Sequence, residues 1–289
     1  MLPVLIRPGR LGDVVLLGAV TGSLPCVVAT EDRYAPLAAR LKGVERVIPL
    51  ASVRDEPGLL VDLQGSLRTR WLCRGRAHRT IHKRGLRRRL WLRTGWPDPP
   101  RPDVPHVYAE AAGVPVAPLP WIEVPDRPRT ALGIAPGAAF APKRWRPDHF
   151  SALGRQWDGP VTVFGGPGEE GLVRFVSAGI PGSRRVIEAG FTETIDALAS
   201  VAVMVAGDTG LMHLAGATGA RVVALFGPTH PSDGFFVYPG TALGRTLPCR
   251  PCALHRVDRC RVGHHGCMAH PVDDVLAAVR ASGRSPARG

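Results

Sequence analysis

One rhythm runs twice along this chain: an apolar run, a turn containing glycine, then a helix-like stretch. The first half carries it in VLIRPGRLGDVVLLGAV, in the runs from Cys26 to Ala29 and from Arg46 to Leu50, and in LLVDLQG. The second half restarts it with the apolar runs TALGIAPG, VTVFGG, VAVMVAG and RVVALFG. Helical runs alternate with these: PDHFSALGRQW, EEGLVRFVSAG, ETIDALASV and LMHLAGATG. Such alternation argues for βαβ units, because parallel strands need crossovers and are buried on both faces. Between the halves, VPVAPLPWIEVPDRPR holds five prolines from Val114 to Arg129. Proline at that density fixes φ and removes N–H donors, which suits an extended linker. The domains are therefore expected at 1–126 and 127–289. In open α/β sheets a ligand binds beyond the carboxyl ends of the strands.

Composition narrows the class. A chain of 289 residues suits two domains of ordinary size, and 45% hydrophobic residues suffice to bury real cores. No run of about 20 apolar residues offers a membrane span. MLPVLIRPGR lacks the apolar stretch of a secretory signal and reads as the first strand of a cytoplasmic protein. The net charge of +13 favours acidic partners: nucleic acid, anionic lipid or a phosphorylated substrate. Nearly all of the excess is arginine, with lysine only at 42, 83 and 143, a bias that a GC-rich genome also produces. The basic run from Arg68 to Arg93 reads either as a solvated face or as a surface facing an acceptor or a membrane.

Five motifs carry candidate chemistry. In VMVAGDTGLMHLAGATG a buried strand runs into Asp208-Thr209-Gly210 and then a helix. Free N–H groups at a helix start hold phosphate, and His213, one turn on, leans back towards the same end. The structural alternative makes Asp208 or Thr209 an N-cap and His213 a core histidine. In IAPGAAFAPKRW, Lys143 follows a small-residue loop and suits a diphosphate, or is a surface lysine. In RPGRLGDVV, Asp13 is either an N-cap or a carboxylate able to take a proton from an attacking hydroxyl. In VFGGPGEE, Glu169 or Glu170 either binds ribose hydroxyls or favours a helix N-terminus. Last, Cys249, Cys252, Cys260 and Cys267 open with zinc-ligand spacing, and His255, His264 or His265 could replace one thiolate. The second half of that set lacks a close pair, so a reduced tail without metal stays open beside it. Cys26 and Cys73 read as small apolar residues.

Taken in order, RPGRLGDVV, DLQGSLRT, PGAAFAPKRW, FGGPGEE and GDTGLMHLAGATGARVVALFGPTHP resemble glycosyltransferase family 9, which includes the ADP-heptose:lipopolysaccharide heptosyltransferases. The tail CRPC…C…CM resembles many members too. The resemblance implies a GT-B fold, two Rossmann-like domains facing across a cleft with the donor on the C-terminal one. It implies an inverting, metal-independent transfer without a cofactor, from an ADP-sugar such as ADP-heptose to an anionic glycolipid or glycan. Asp13 matches the general base, and Lys143 a lysine on the donor phosphates. Asp208, Thr209, Gly210 and His213 match donor-site residues. Gly12, Ala138, Ala139, Glu170 and Arg68 complete the expected substrate contacts, although some members carry threonines where this chain has Ala138 and Ala139. A cytoplasmic monomer touching the inner face of the membrane is expected. Two other readings stay in view. One is a catalytically silent nucleotide-sugar-binding relative, against which Asp13 and Lys143 both speak. The other is a basic nucleic-acid-binding protein, against which 6% aromatics and the absence of a recognised module speak.

Overall fold

The computed structural model describes residues 1–81, 102–231, 234–236, 238–253 and 256–283. The chain divides into two compact units, Met1–Glu123 with Ala217–Gly219, and Val124–Gly216 with Ala220–Gly289.

In unit 1, β1 (Val4–Ile6), β2 (Cys26–Thr30), β3 (Val44–Pro49), β4 (Leu60–Asp62) and β5 (His78–Thr80) form one sheet in the order β3-β2-β1-β4-β5. Every pairing is parallel; Val4 lies opposite both Val27 and Leu60. The strands β1, β2 and β4 are buried along their whole length, as their Val, Leu and Ile runs require. Val4, Ile6, Val27, Ala29, Leu60 and Cys73 share the core under the sheet. Each fully buried Val or Leu contributes about 1.5–3 kcal/mol of transfer free energy. The short helices α1 (Leu11–Val15), α2 (Gly18–Thr21), α3 (Ala35–Ala38) and α4 (Leu67–Leu72) fill the connections. The longer α5 (Val104–Ala112) starts at Asp103, whose carboxylate accepts from the His106 N–H at 3.1 Å, and stops at Gly113 with φ 75°.

Unit 2 repeats the plan with six strands. They are β6 (Ala131–Ala135), β7 (Val161–Gly165), β8 (Arg184–Ile187), β9 (Val201–Gly207), β10 (Arg221–Phe226) and β11 (Gly240–Gly244), ordered β11-β10-β9-β6-β7-β8 and all parallel. The helices are α6 (Pro147–Arg155), α7 (Glu170–Ala178), α8 (Phe191–Leu198), α9 (Gly210–Ala217) and α10 (Val272–Gly283). Pro147 opens α6, where a missing N–H costs nothing. Trp145 anchors the core edge-on to Phe150 at 4.9 Å, and its indole N–H donates to the His270 carbonyl at 3.0 Å.

The expected Rossmann-like α/β units are thus present. Both sheets start from an inner strand and grow first to one side, then to the other. The reversal falls between β1 and β4 in unit 1, and between β6 and β9 in unit 2. At such a switch point adjacent connections run to opposite faces and leave a crevice at the strand ends. Three strands, β5, β8 and β11, lay outside the reading of the sequence. The first two are short, with exposed arginine or histidine at sheet edges, and give no apolar run. Among the described residues no helix is long and apolar enough to cross a membrane. The basic run expected to reach Arg93 lies outside the described residues from 82 onward.

Candidate functional site

The motifs fall at the two switch points. In unit 2, β9 ends at Gly207 and α9 begins at Gly210, so Asp208 and Thr209 form the turn between them. The Thr209 hydroxyl accepts from the Met212 N–H at 3.3 Å and the Thr209 carbonyl from the His213 N–H at 3.4 Å. Thr209 therefore fills the capping role. Asp208 does not: its Oδ2 accepts from the Lys143 ammonium at 2.7 Å and from the Thr229 hydroxyl at 3.3 Å. The paired side chains are 9% and 8% exposed, so Lys143 is not the free surface lysine of the structural reading.

Lys143 ends a turn, Ala141–Lys143, in the loop after β6. A Cβ on Gly207 would stand 2.9 Å from the Lys143 carbonyl oxygen. Only glycine lets that loop lie so close to the end of β9, and this approach delivers the ammonium to Asp208. The loop is tied down further by Arg144, whose guanidinium donates twice to the Ala138 carbonyl, at 2.9 and 2.8 Å. Ala138 is buried and Ala139 exposed.

His213 is buried within α9, its Nδ1 3.3 Å from the Tyr238 hydroxyl. Tyr238 packs where Gly216 leaves room, since a Cβ there would come within 2.2 Å of its ring. Burial raises the Tyr238 phenol well above its ordinary pKa, so it stays protonated beside the imidazole. Of the two glutamates, Glu170 pairs with Arg174 one turn along the exposed face of α7 at 2.6 Å. Glu169 is the one directed to the β6 loop. Its Oε2 accepts from the Gly166 N–H at 2.9 Å, and its carboxylate lies where a Cβ on Gly137 would be.

In unit 1, Gly12 and Asp13 lie in α1, directly after the loop that leaves β1. Asp13 Oδ2 pairs with Arg7, and Arg7 also donates to the Leu63 carbonyl at 2.8 Å. Arg7 thus ties the β1 loop to the β4 loop. Asp13 is not a hydrogen-bonded N-cap; Arg10 holds the cap position, with no side-chain cap bond. The β4 loop is organised by Asp62, which is fully buried. One oxygen accepts from the Gln64 and Gly65 N–H groups, both at 2.9 Å; the other accepts from the Thr69 hydroxyl at 2.9 Å. That turn launches α4, which presents Arg68 at the surface.

Arg7, Asp62, Thr229 and Tyr238 stand beside the expected residues. Each acts through a partner on another segment, or through a buried turn, which no local pattern reveals. In the C-terminal tail the Cys249 thiol lies 3.6 Å from His264 Nε2, and the His265 N–H foremost lowers the pKa of Cys260. Among the described residues no group of three or more His, Cys, Asp or Glu is arranged to hold a metal, and His255 lies outside them.

Two parallel α/β units with polar residues gathered at their switch points define a Rossmann-like class of protein. Residues 109–239 match the model of glycosyltransferase family 9 (heptosyltransferase). The chain is 34% identical over 113 residues to lipooligosaccharide heptosyltransferase 2 of Haemophilus influenzae, a match spanning 36% of this chain and 33% of that protein. It is 24% identical to lipopolysaccharide heptosyltransferase 1 of Pseudomonas aeruginosa, over 86% of this chain and 85% of the relative. Its fold matches the structure of E. coli ADP-heptose lps heptosyltransferase II with a TM-score of 0.68 at 18% identity, covering 98% of each chain. The chain is thus similar to glycosyltransferase family 9 over residues 109–239, and to a heptosyltransferase of that kind along most of its length.

Proposed function

We propose that this protein transfers a heptose or related sugar from an ADP-sugar to an anionic glycan of the lipopolysaccharide-core type, with inversion and without a metal. The observation that carries this reading is the nearly buried Lys143–Asp208 pair at the unit 2 switch point, beside the start of α9. A helix start and a fixed ammonium suit a nucleoside diphosphate, and both stabilise the negative charge that develops as it leaves. The family relatives, named for lipopolysaccharide and lipooligosaccharide transfer and for ADP-heptose, support the choice of substrates.

In this reading an acceptor hydroxyl attacks the anomeric carbon. The bond from that carbon to the diphosphate oxygen breaks, and its electron pair leaves with ADP. The hydroxyl proton passes to the Asp13 carboxylate, which Arg7 orients. Lys143 and the N–H groups of Thr209 and Gly210 receive the diphosphate, while Asp208 holds Lys143 in place. Ala138, Ala139 and Glu169 line the sugar and ribose end, with Glu170 nearby in sequence. Gly12 lets the acceptor approach Asp13, and Arg68 meets its negative charge. The protein works as a monomer, its basic excess favouring contact with the anionic inner membrane face.

The test is transfer itself. Incubation with ADP-heptose and a deacylated lipopolysaccharide core, in EDTA, should yield a glycan one heptose heavier with inverted anomeric configuration by NMR. Donor binding without transfer to any core offered would favour the catalytically silent relative instead.

A further inference from the structure

The carboxyl ends of β1, β2 and β4 border an open, shallow pocket of about 220 Å³ in unit 1, lined by Arg10, Glu31, Arg33, Gln64, Ser66 and Arg68. The pocket already holds an anion of its own. Glu31 Oε2 accepts from Arg33 Nε at 3.1 Å and lies 2.9 Å from its Nη2, while Glu31 Oε1 stands 3.9 Å from Arg68 Nη1. The backbone on either side of Glu31 is fixed. Its N–H donates to the Pro8 carbonyl at 2.9 Å, and its carbonyl accepts from the Tyr34 N–H at 2.8 Å. Gly9 completes the seat, since a Cβ there would stand 3.2 Å from the Glu31 carboxylate.

Arg10 is held against its own preference. Its backbone lies at φ 72° and ψ 122°, a region that glycine adopts freely and arginine rarely. A strained residue at a pocket wall is a candidate for a functional role.

We infer that Glu31 is a charge-selecting residue of the acceptor pocket, making it take a phosphomonoester on the acceptor glycan in preference to a carboxylate. This deepens the acceptor half of the proposed function and rests on that reading. Arg33 and Arg68 stand against Glu31 and Arg10 lines the same pocket, so arginine exceeds carboxylate there by two, which matches the roughly −1.5 to −2 charge of a phosphomonoester at neutral pH. An incoming carboxylate has the same chemistry as Glu31 but lacks its tether, so it competes at a disadvantage in effective concentration. A phosphate offers a second charge and a third acceptor oxygen, and so displaces Glu31. The displacement is easy because the arginines are 70% and 68% exposed, and such pairs contribute little.

The test is calorimetry on the full chain at fixed ionic strength, with glucose 6-phosphate, glucuronate and inorganic phosphate as probes. The wild type should bind the sugar phosphate about tenfold or more tighter than glucuronate, the worth of one charge-assisted contact. Glu31→Gln should narrow that ratio to about threefold by strengthening glucuronate. Arg68→Gln and Arg10→Gly should each weaken the sugar phosphate about tenfold. Arg10→Gly should at the same time raise Tm by about 3 °C as the strain is released, a pairing that loss of structure cannot produce. Equal wild-type binding of the two sugars, an unchanged ratio in Glu31→Gln, or sugar phosphate binding unmoved by Arg10→Gly would overturn the inference. Inorganic phosphate binding as tightly as the sugar phosphate would do so too, by assigning the pocket to a free ion. ADP titrated into the same samples reads the donor assignment separately.

Discussion

The two switch points of this molecule differ in what they leave exposed. At the one in unit 2 the charges are inside: Lys143 and Asp208 are 9% and 8% exposed, with Thr229 on the same carboxylate. At the one in unit 1 the buried Arg7 and Asp62 and the half-buried Asp13 are joined by an exposed set, Arg33 and Arg68 on either side of Glu31 with Arg10 lining the same pocket. A buried pair is expensive to break and holds one geometry, which suits a ligand that never varies. Exposed pairs rearrange cheaply and change readily, which suits a partner that differs from one protein to the next. The contrast is consistent with the proposed division of labour, a constant nucleotide on one unit and a particular acceptor on the other.

The largest effect should come from splitting the buried pair. Lys143→Met leaves Asp208 uncompensated and should cost about 3–5 kcal/mol in denaturant unfolding, with loss of ADP affinity. Pairing it with Asp208→Leu should restore most of the stability and none of the ADP binding. If the single variant were as stable as the wild type, the pair would not be the fixed element described here. Next, Asp13→Asn should lower kcat by about a hundredfold or more while ADP affinity stays at the wild-type value. Near-normal turnover would remove Asp13 from the base role. Gly207→Ala, which pushes a methyl towards the Lys143 carbonyl, should cost about 1–3 kcal/mol and weaken ADP binding alongside.

The smallest effect concerns pH. Burial, with the charges of Arg250 and Arg245, lowers the His270 pKa in unit 2 to about 4. The unfolded chain binds that proton near pH 6.5, so between the two values it holds more protons than the folded one. The contribution of neutral His270 is therefore complete above about pH 6.5 and declines as pH falls towards 4. His270→Gln should flatten the Tm profile across that window, and an unchanged slope would assign the acid sensitivity elsewhere.

Much of the plan was legible because it rests on local pattern. The buried strands β1, β2, β6, β7, β9 and β10 announce themselves as apolar runs, and Asp208-Thr209-Gly210 sits at a strand-to-helix turn that any reading would notice. What stayed hidden depends on distant partners. Asp208 is 65 residues from Lys143 and 21 from Thr229. Arg7 reaches Leu63 across 56 residues. Glu31 meets Arg68 only because β2 and β4 flank β1. Choosing between Glu169 and Glu170 likewise needed the space over Gly137, which no spacing encodes.

Unit 2 is proposed to bind the ADP part of the donor through Lys143 at its switch point. Calorimetric titration of ADP into the wild type and into Lys143→Gln tests it most directly. The account predicts saturable binding to the wild type and at least about tenfold weaker binding to the variant, the worth of one charge-assisted contact. Equal affinities, or no binding of ADP to the wild type, would contradict it.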